Sequence, residues 1–158
     1  MAVWKMPPKA KVYEALSAVG DDRVRLTGSG QANVTSSAGT KTYVVEWSGD
    51  VQKITSNDNA SYWQGYVGYP IIATLFLLGK IDFTREVAQR LQGIPWNELN
   101  KRFKRDYDKA IDYVLQEVEA KGGNREAVVQ EVDKIFEQLH SLGLERLPRR
   151  KSPPKGQT

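Results

Sequence analysis

A nearly unbroken apolar run at residues 70–81 dominates the hydrophobic pattern of this chain. It reads PIIATLFLLGKI and carries no charge before Lys80. The run is too short to span a membrane, which takes about 20 apolar residues, and a helix that is apolar on every side has to be buried within protein. The pattern therefore predicts a central core helix over Pro70–Leu78, with Leu75 and Leu77 both in the core.

The chain before this run predicts one helix followed by a small sheet. Residues 9–19 carry apolar side chains at helical spacing, namely Val12, Ala15, Leu16 and Val19. Short alternating segments follow, separated by links that contain glycine, at residues 23–26, 32–35, 42–47 and 50–55. Such segments are typical of an antiparallel meander, and its apolar face needs a covering layer of helices.

The chain after the run predicts further amphipathic helices, at about residues 82–92, 95–121 and 124–142. The fold class is therefore α+β: an N-terminal helix, a small antiparallel β-meander of about four strands, and a cluster of four helices around a buried central helix. We expect residues 9–146 to form a single domain, with helix plus sheet in residues 9–56 and helices in residues 70–143. Residues 1–8 are expected to be a flexible N-terminus and residues 147–158 a disordered basic tail.

Composition narrows the classes of function. The 158 residues contain no cysteine and one histidine, so neither a disulfide nor the usual His/Cys zinc site can be built. We expect no metal and no cofactor. The N-terminus lacks the apolar segment of a signal peptide, which favours a soluble, cytoplasmic protein without a membrane partner.

The net charge of +4 is unevenly distributed along the chain. Lysines cluster at the N-terminus, a second group of cations lies at residues 101–109, and a third begins at Arg146 and continues through the tail. The middle of the chain is close to neutral. Clusters of this sign favour anionic partners, and DNA or RNA is the partner that we expect.

Residues 84–103 resemble a helix-turn-helix. A first helix contains the small residue Ala88, a Gly93-Ile94 turn follows, and Leu99 is placed in a second helix to face the first. The spacing from Ala88 to Gly93 is five residues, where the usual spacing is four. Helix-turn-helix proteins read DNA with the second helix, and the resemblance implies that role here for Asn97, Asn100, Lys101 and Lys104.

The charges of the predicted helix 95–121 support the same function. At 100° per residue, Lys101, Arg102, Arg105 and Lys109 share the face opposite the apolar stripe. Cations early in a helix oppose its dipole at a cost of about 0.3–1 kcal/mol each, and like charges four residues apart add to that cost. A phosphate partner would explain this costly arrangement; a solvated face of mixed charge is the alternative. The nucleic-acid-binding residues that we expect are Asn97, Asn100, Lys101, Arg102, Lys104, Arg105, Lys109, Arg149, Arg150 and Lys151.

The segment that leads into the core helix, residues 56–69, is rich in aromatic and turn residues. Four aromatic rings occur within eight residues, with Gly65 and Gly68 among them. Rings with polar groups suit a small-ligand pocket or a platform on which bases stack. They equally suit a loop that seals the strands against the core helix. The candidate ligand residues are Asn57, Asp58, Asn59, Ser61, Tyr62, Trp63, Tyr66 and Tyr69.

No catalytic signature stands out. Glu14, Glu46 and Asp58 could act as an acid and a base only if the fold brought them together. The sequence therefore predicts a non-enzymatic nucleic-acid-binding protein. One alternative is a module that binds a small ligand or a protein partner through residues 56–69, which we call the aromatic loop; the partner could be a second copy in a homodimer. Another is a hydrolase of unfamiliar type at the same loop.

Overall fold

The computed structural model describes residues 3–148 and 151–154. The elements in these residues are α1 (Ala10–Gly20), β1 (Val24–Gly28), β2 (Gln31–Thr35), β3 (Thr42–Ser48), β4 (Lys53–Ser56), a π-helical turn (Ala60–Gln64), α2 (Tyr69–Leu77), α3 (Arg85–Arg90), α4 (Trp96–Arg102), α5 (Tyr107–Ala120), α6 (Arg125–Leu142) and β5 (Glu145–Arg146). The predicted α+β fold, with an N-terminal helix, an antiparallel meander and then several helices, is confirmed.

The sheet has five strands in the order β1-β2-β3-β4-β5. The first four are antiparallel neighbours, as the glycine-containing links predicted. The fifth, β5, lies parallel to β4, where Lys53 pairs with Glu145. It was not predicted, because two residues are too few to show an alternating pattern. This strand brings Glu145 and Arg146, which follow α6, to the edge of the sheet.

Two helices, α1 and α2, form the centre of the core. The prediction of a buried central helix is confirmed at α2, which contacts α1 and strands β1 to β4. Residues 10–19 of α1 are also all buried, although the sequence showed only one apolar stripe there. This helix is covered on its other sides because α3, α5 and α6 pack against it.

One of the two leucines predicted for the core is not buried. Leu75 is fully buried, whereas Leu77 is 38% exposed. The helix ends at Leu77, and the packing of α2 against α1 and the sheet leaves this last residue partly uncovered. The prediction is therefore wrong for Leu77: within α2 the buried residues end at Phe76, although Ile81 at the end of the apolar run is buried again.

The predicted helix over residues 95–121 is in fact two helices, α4 and α5. After α4, Lys104 and Arg105 both adopt the left-handed backbone conformation, with φ of +52° and +63°. The Arg105 N–H donates to the carbonyl of Asn100 at 2.8 Å, and the Lys104 N–H donates to that of Lys101 at 3.1 Å. This pair of hydrogen bonds is a Schellman motif, which ends a helix.

Asp106 then begins α5. Its carboxylate accepts a hydrogen bond from the backbone N–H of Lys109 at 3.3 Å, as an N-cap residue does. The helical geometry that placed Lys101, Arg105 and Lys109 on one continuous face is therefore wrong, since Lys101 lies in α4, Arg105 in the turn that follows it and Lys109 in α5.

Both ends of the described chain contact the sheet. Trp4 is buried, and its indole N–H donates to the carbonyl of Ile54 at 2.9 Å. The backbone N–H of Leu147 donates to the same carbonyl at 3.2 Å. The flexibility predicted for residues 1–8 and the disorder predicted for 147–158 stay predictions. None of the described helices has the length and apolar content needed to cross a membrane.

Candidate functional site

The segment between α4 and α5 concentrates positive charge. We call residues 101–105 the basic turn; it contains Lys101, Arg102, Lys104 and Arg105, all exposed. Within the described residues, none of these four side chains lies within ion-pair distance of a carboxylate. Lys109 is also exposed, and its ammonium lies 3.9 Å from the Asp106 carboxylate. The Arg102 guanidinium lies over the rings of Phe103 and Tyr113, 5.3 and 5.2 Å from their centroids. The charges of Lys101, Lys104 and Arg105 are left to solvent or to a partner.

The backbone of the basic turn is strained. The residue that follows a Schellman-type helix end is usually glycine, because a side chain in the left-handed conformation costs about 1–2 kcal/mol. Here that position is Lys104, and Arg105 after it is left-handed as well. Backbone strain and the repulsion of neighbouring cations both lower stability. Strain of this kind clusters at functional sites.

Replacing Lys104 by glycine is therefore expected to raise the free energy of unfolding by about 1 kcal/mol, since glycine adopts the left-handed conformation without a steric cost. Lys101→Gly is the matched control. Lys101 lies inside α4, where glycine is expected to lower the free energy of unfolding by about 1 kcal/mol. Urea denaturation of both variants measures the two changes, and a loss of stability in Lys104→Gly would show that the turn is not strained.

Of the residues that the helix-turn-helix resemblance singled out, Asn97 is exposed and Asn100 is half-buried. The backbone N–H of Asn97 donates to the Ser37 hydroxyl at 3.2 Å. The side-chain oxygen of Asn100 is buried without a hydrogen-bond partner, so it does not face solvent. The helices α3 and α4 follow each other with a turn between them, but α3 packs mainly on α1 and α6 whereas α4 packs on α5. In a helix-turn-helix the second helix packs on the first.

The polar residues of the aromatic loop, residues 56–69, hold that loop in shape. The Asp58 carboxylate accepts hydrogen bonds from the Ser61 backbone N–H at 3.0 Å and hydroxyl at 2.7 Å. The same hydroxyl accepts from the Gly68 N–H at 3.1 Å, and a Cβ at residue 68 would collide with Asp58. Asn57 accepts a hydrogen bond from the Val44 N–H at 2.8 Å. Asn57, Asp58 and Ser61 are buried, so they stabilise the loop from within.

The aromatic rings of the loop divide into two groups. Tyr69 is packed edge-on against Tyr43, with ring centroids 6.2 Å apart, and burial raises the pKa of its hydroxyl above the ordinary value for tyrosine. Trp63 instead is 69% exposed and lies edge-on to Tyr62 at 4.6 Å. Asn59 is exposed beside this pair. The inner part of the loop seals the core, and the outer part presents an indole ring to solvent.

Two of the cationic segments of the sequence reach the aromatic loop through backbone contacts. The N-terminal segment runs beside it: the Lys5 N–H donates to the carbonyl of Gly65 at 3.2 Å, and the Val67 N–H donates to that of Lys5 at 3.1 Å. From the C-terminal segment, the Arg146 guanidinium donates to the same Gly65 carbonyl at 3.2 Å. It also lies 4.9 Å from the ring of Trp4.

The remaining cationic segment, residues 101–109, reaches the loop through a pair of tyrosines. The hydroxyl of Tyr66 lies beside that of Tyr107, the first residue of α5 and the second after the basic turn, and burial raises the pKa of Tyr66 to about 12. The tail also contributes, since the Asn57 amide donates to the carbonyl of Ser152 at 3.2 Å and the adjoining Lys151 is exposed. Arg149 and Arg150 lie outside the described residues.

A buried ion pair on α1 was missed by sequence reasoning. Lys11 and Glu14 are three residues apart, their side chains are 10% and 5% exposed, and the ammonium lies 3.0 Å from Glu14 Oε2. Burial lowers the pKa of Lys11, whereas the nearby Glu14 carboxylate raises it. The resulting pKa of Lys11 lies above the ordinary value for lysine. Burial raises the pKa of Glu14, although Lys11 opposes this change. A Lys–Glu pair at this spacing is ordinary on a solvated helix, so only the burial distinguishes it.

The polar groups beside this ion pair do not form an open pocket. Arg23 donates to the Thr35 carbonyl at 2.7 Å and contacts Asp21 at 3.1 Å, but its Nη2 is buried without a hydrogen-bond partner. The cavity between Arg23 and Glu14 is too narrow to hold a water molecule. The charge of Asp58 raises the pKa of the Glu14 carboxyl, but Asp58 does not line this cavity.

A larger groove, of about 410 Å³, lies between α3 and α6. None of the candidate nucleic-acid-binding or ligand residues predicted from the sequence lines this groove. The buried carboxylate in its wall, Glu131, accepts a hydrogen bond from the backbone N–H of Thr84 and so ties the start of α3 to α6. In the part of the chain that the structure describes, no three Asp, Glu or His side chains are grouped so as to hold a metal ion.

Comparison with known protein families identifies the family to which this chain belongs. No curated protein and no solved structure matches this chain. The profile of one family, described as Uncharacterised conserved protein UCP014422, matches residues 4–145. These residues include every helix that the structure describes, the basic turn and the aromatic loop. The chain therefore belongs to the family Uncharacterised conserved protein UCP014422.

Proposed function

We propose that this protein binds nucleic acid, DNA or RNA, through the cations around the aromatic loop. One observation carries the proposal: three cationic segments that are far apart in the sequence contact the same loop. The N-terminal segment and Arg146 contact Gly65, and Tyr107, two residues after the basic turn, lies beside Tyr66. The tail contacts the loop at Asn57.

The charge balance of the basic turn supports an anionic partner. Its four exposed cations have no carboxylate partner within the described residues, and its backbone is strained at Lys104 and Arg105. A polyanion whose phosphates contact these cations would lower their mutual repulsion and release condensed counterions. Phosphate contacts of this type bind without reading sequence, so the proposal concerns nucleic acid in general.

The test is the combined replacement of Lys101, Arg105 and Lys109 by glutamine. Each phosphate contact that is lost is expected to reduce the slope of log K against log salt concentration by roughly 0.9 on duplex DNA and roughly 0.7 on a single strand. Fluorescence anisotropy of labelled DNA and RNA oligonucleotides, titrated at several salt concentrations, measures this slope. Stability is expected to stay equal or to rise slightly, because repulsion between like charges is removed.

A control with the same loss of charge replaces Lys80, Lys121 and Lys134 by glutamine. These lysines are exposed and lie outside the three cationic segments. Lys121 follows the last residue of α5, about 20 Å from Tyr107 along a helix that rises about 1.5 Å per residue. The control variant is expected to bind as the parent does. Equal loss in both variants would indicate a response to net charge only, and a parent protein without salt-dependent binding would exclude the proposal.

The small-ligand alternative stays a prediction without a specific observation in its favour. The polar groups proposed for it on Asn57, Asp58 and Ser61 are buried and bonded within the loop. A protein partner or homodimer likewise stays a prediction.

A further inference from the structure

Trp63 has the most exposed large apolar side chain in the described part of the chain, at 69%. Tryptophan is on average highly buried in folded proteins, so this indole is unusual. It lies on the π-helical turn Ala60–Gln64, and single π-helical turns occur frequently at functional sites. The exposed ring therefore needs an explanation.

The loop that carries Trp63 is shaped before any partner arrives. Asp58 and Ser61 are joined by two hydrogen bonds, and Ser61 is joined to Gly68. Gly65 ends the π-helical turn with a left-handed φ of +74°. The ring of Tyr62 supports the indole from its side, with an interplanar angle of 77°. A ring that is held in place in this way costs little entropy when a partner stacks on it.

We propose that Trp63 stacks on an unpaired base, so that the nucleic acid bound at this surface is single-stranded. This inference rests on the proposed function. An exposed aromatic ring beside cations that follow the phosphate backbone is the arrangement used for single strands, whereas the bases of a duplex are stacked on each other and present only their edges. The exposed cations Lys5 and Lys151 lie in the segments that contact the loop at Gly65 and Asn57.

The test compares Trp63→Ala and Trp63→Phe in the full chain. Affinity for an unlabelled oligothymidylate is measured by its competition with the labelled oligonucleotide in the anisotropy titration. Trp63→Ala is expected to weaken the affinity for oligothymidylate about 5- to 150-fold, the usual contribution of one stacked base. Trp63→Phe is expected to retain most of the affinity, because it keeps a ring. Neither variant is expected to change the salt slope, since no phosphate contact is removed. Leu26→Ala, at another exposed apolar side chain, is the control and is expected to bind as the parent does.

Iodide quenching of tryptophan fluorescence gives a second measurement. Trp4 and Trp96 are buried and Trp47 is half-buried, so Trp63 is the indole that iodide reaches best, and the single strand is expected to protect it. A Trp63→Ala variant that binds the single strand as the parent does, or a parent that binds the duplex of the same sequence more tightly, would overturn this inference alone. A parent that binds neither form would overturn the proposed function as well.

Discussion

Leu75→Ala is expected to lower the free energy of unfolding by about 2–5 kcal/mol, as large-to-small substitutions at fully buried leucines do. Leu75 has no exposed surface, and α2 is packed between α1 and the sheet. The lost side chain would leave a cavity that neither neighbour can close without giving up its own contacts. Chemical denaturation monitored by circular dichroism measures the loss, and the change is expected in the midpoint at a constant m-value.

Leu77→Ala is the matched control for this prediction. It removes the same atoms from the same helix, but from a residue that is 38% exposed and at which little new cavity can form. We expect a loss of about 1 kcal/mol. Equal losses for the two variants would show that burial along α2 is not as described, and an unchanged Leu75→Ala would show that α2 is peripheral.

The elements that the sequence predicted are those whose signal is local. An uncharged apolar run of this length predicts a buried helix in a chain of this size, and the structure has α2 at this position. The glycine-containing links specify neighbouring antiparallel strands, and β1 to β4 follow them. The parallel strand β5 depends on a contact between residues 53 and 145, and nothing in either segment encodes that pairing.

The break between α4 and α5 was hidden by an apolar stripe that continues across it. Phe103, Tyr107 and Ala110 keep helical spacing through the turn. The left-handed position is occupied by Lys104, so the glycine that usually marks the end of a helix is missing. The signal that could have revealed the break is Asp106. Aspartate is a good N-cap residue, and its carboxylate here accepts a hydrogen bond from the backbone N–H three residues later, at Lys109.

The candidate site was predictable only in parts. The sequence identified the three cationic segments and the aromatic loop separately. Their meeting depends on contacts such as that of Arg146 with Gly65 and that of Asn57 with Ser152, which join residues far apart in the chain. The buried pair of Lys11 and Glu14 was missed for a related reason. Its sequence pattern is that of a solvated helix, and it is buried only because later helices cover α1.

Lys11→Met is expected to lower the free energy of unfolding by about 3–5 kcal/mol near pH 8, because it leaves the Glu14 carboxylate buried without its counter-ion. The loss is expected to be smaller near pH 5. Burial raises the pKa of Glu14 above its ordinary value of 4.5. Without Lys11, no other charge on α1 opposes this increase. Of the remaining nearby charges, Asp58 raises the pKa of Glu14 and Arg23 lowers it. The folded state then holds a proton that the unfolded state releases, so stability falls as the pH rises from 4.5 through the pKa of the folded state.

Lys9→Met and the double variant Lys11→Met/Glu14→Leu complete this experiment. Lys9 forms an ion pair with Asp133 at 2.9 Å, but both side chains are about half exposed, so its loss is expected to cost less than about 1 kcal/mol at either pH. The double variant removes both buried charges and is expected to recover most of the stability of the parent and to lose the pH dependence. Urea denaturation of the three variants at pH 5 and pH 8 measures these differences. If Lys11→Met costs no more than Lys9→Met, or costs the same at both pH values, then Glu14 is not held as a buried carboxylate that depends on Lys11.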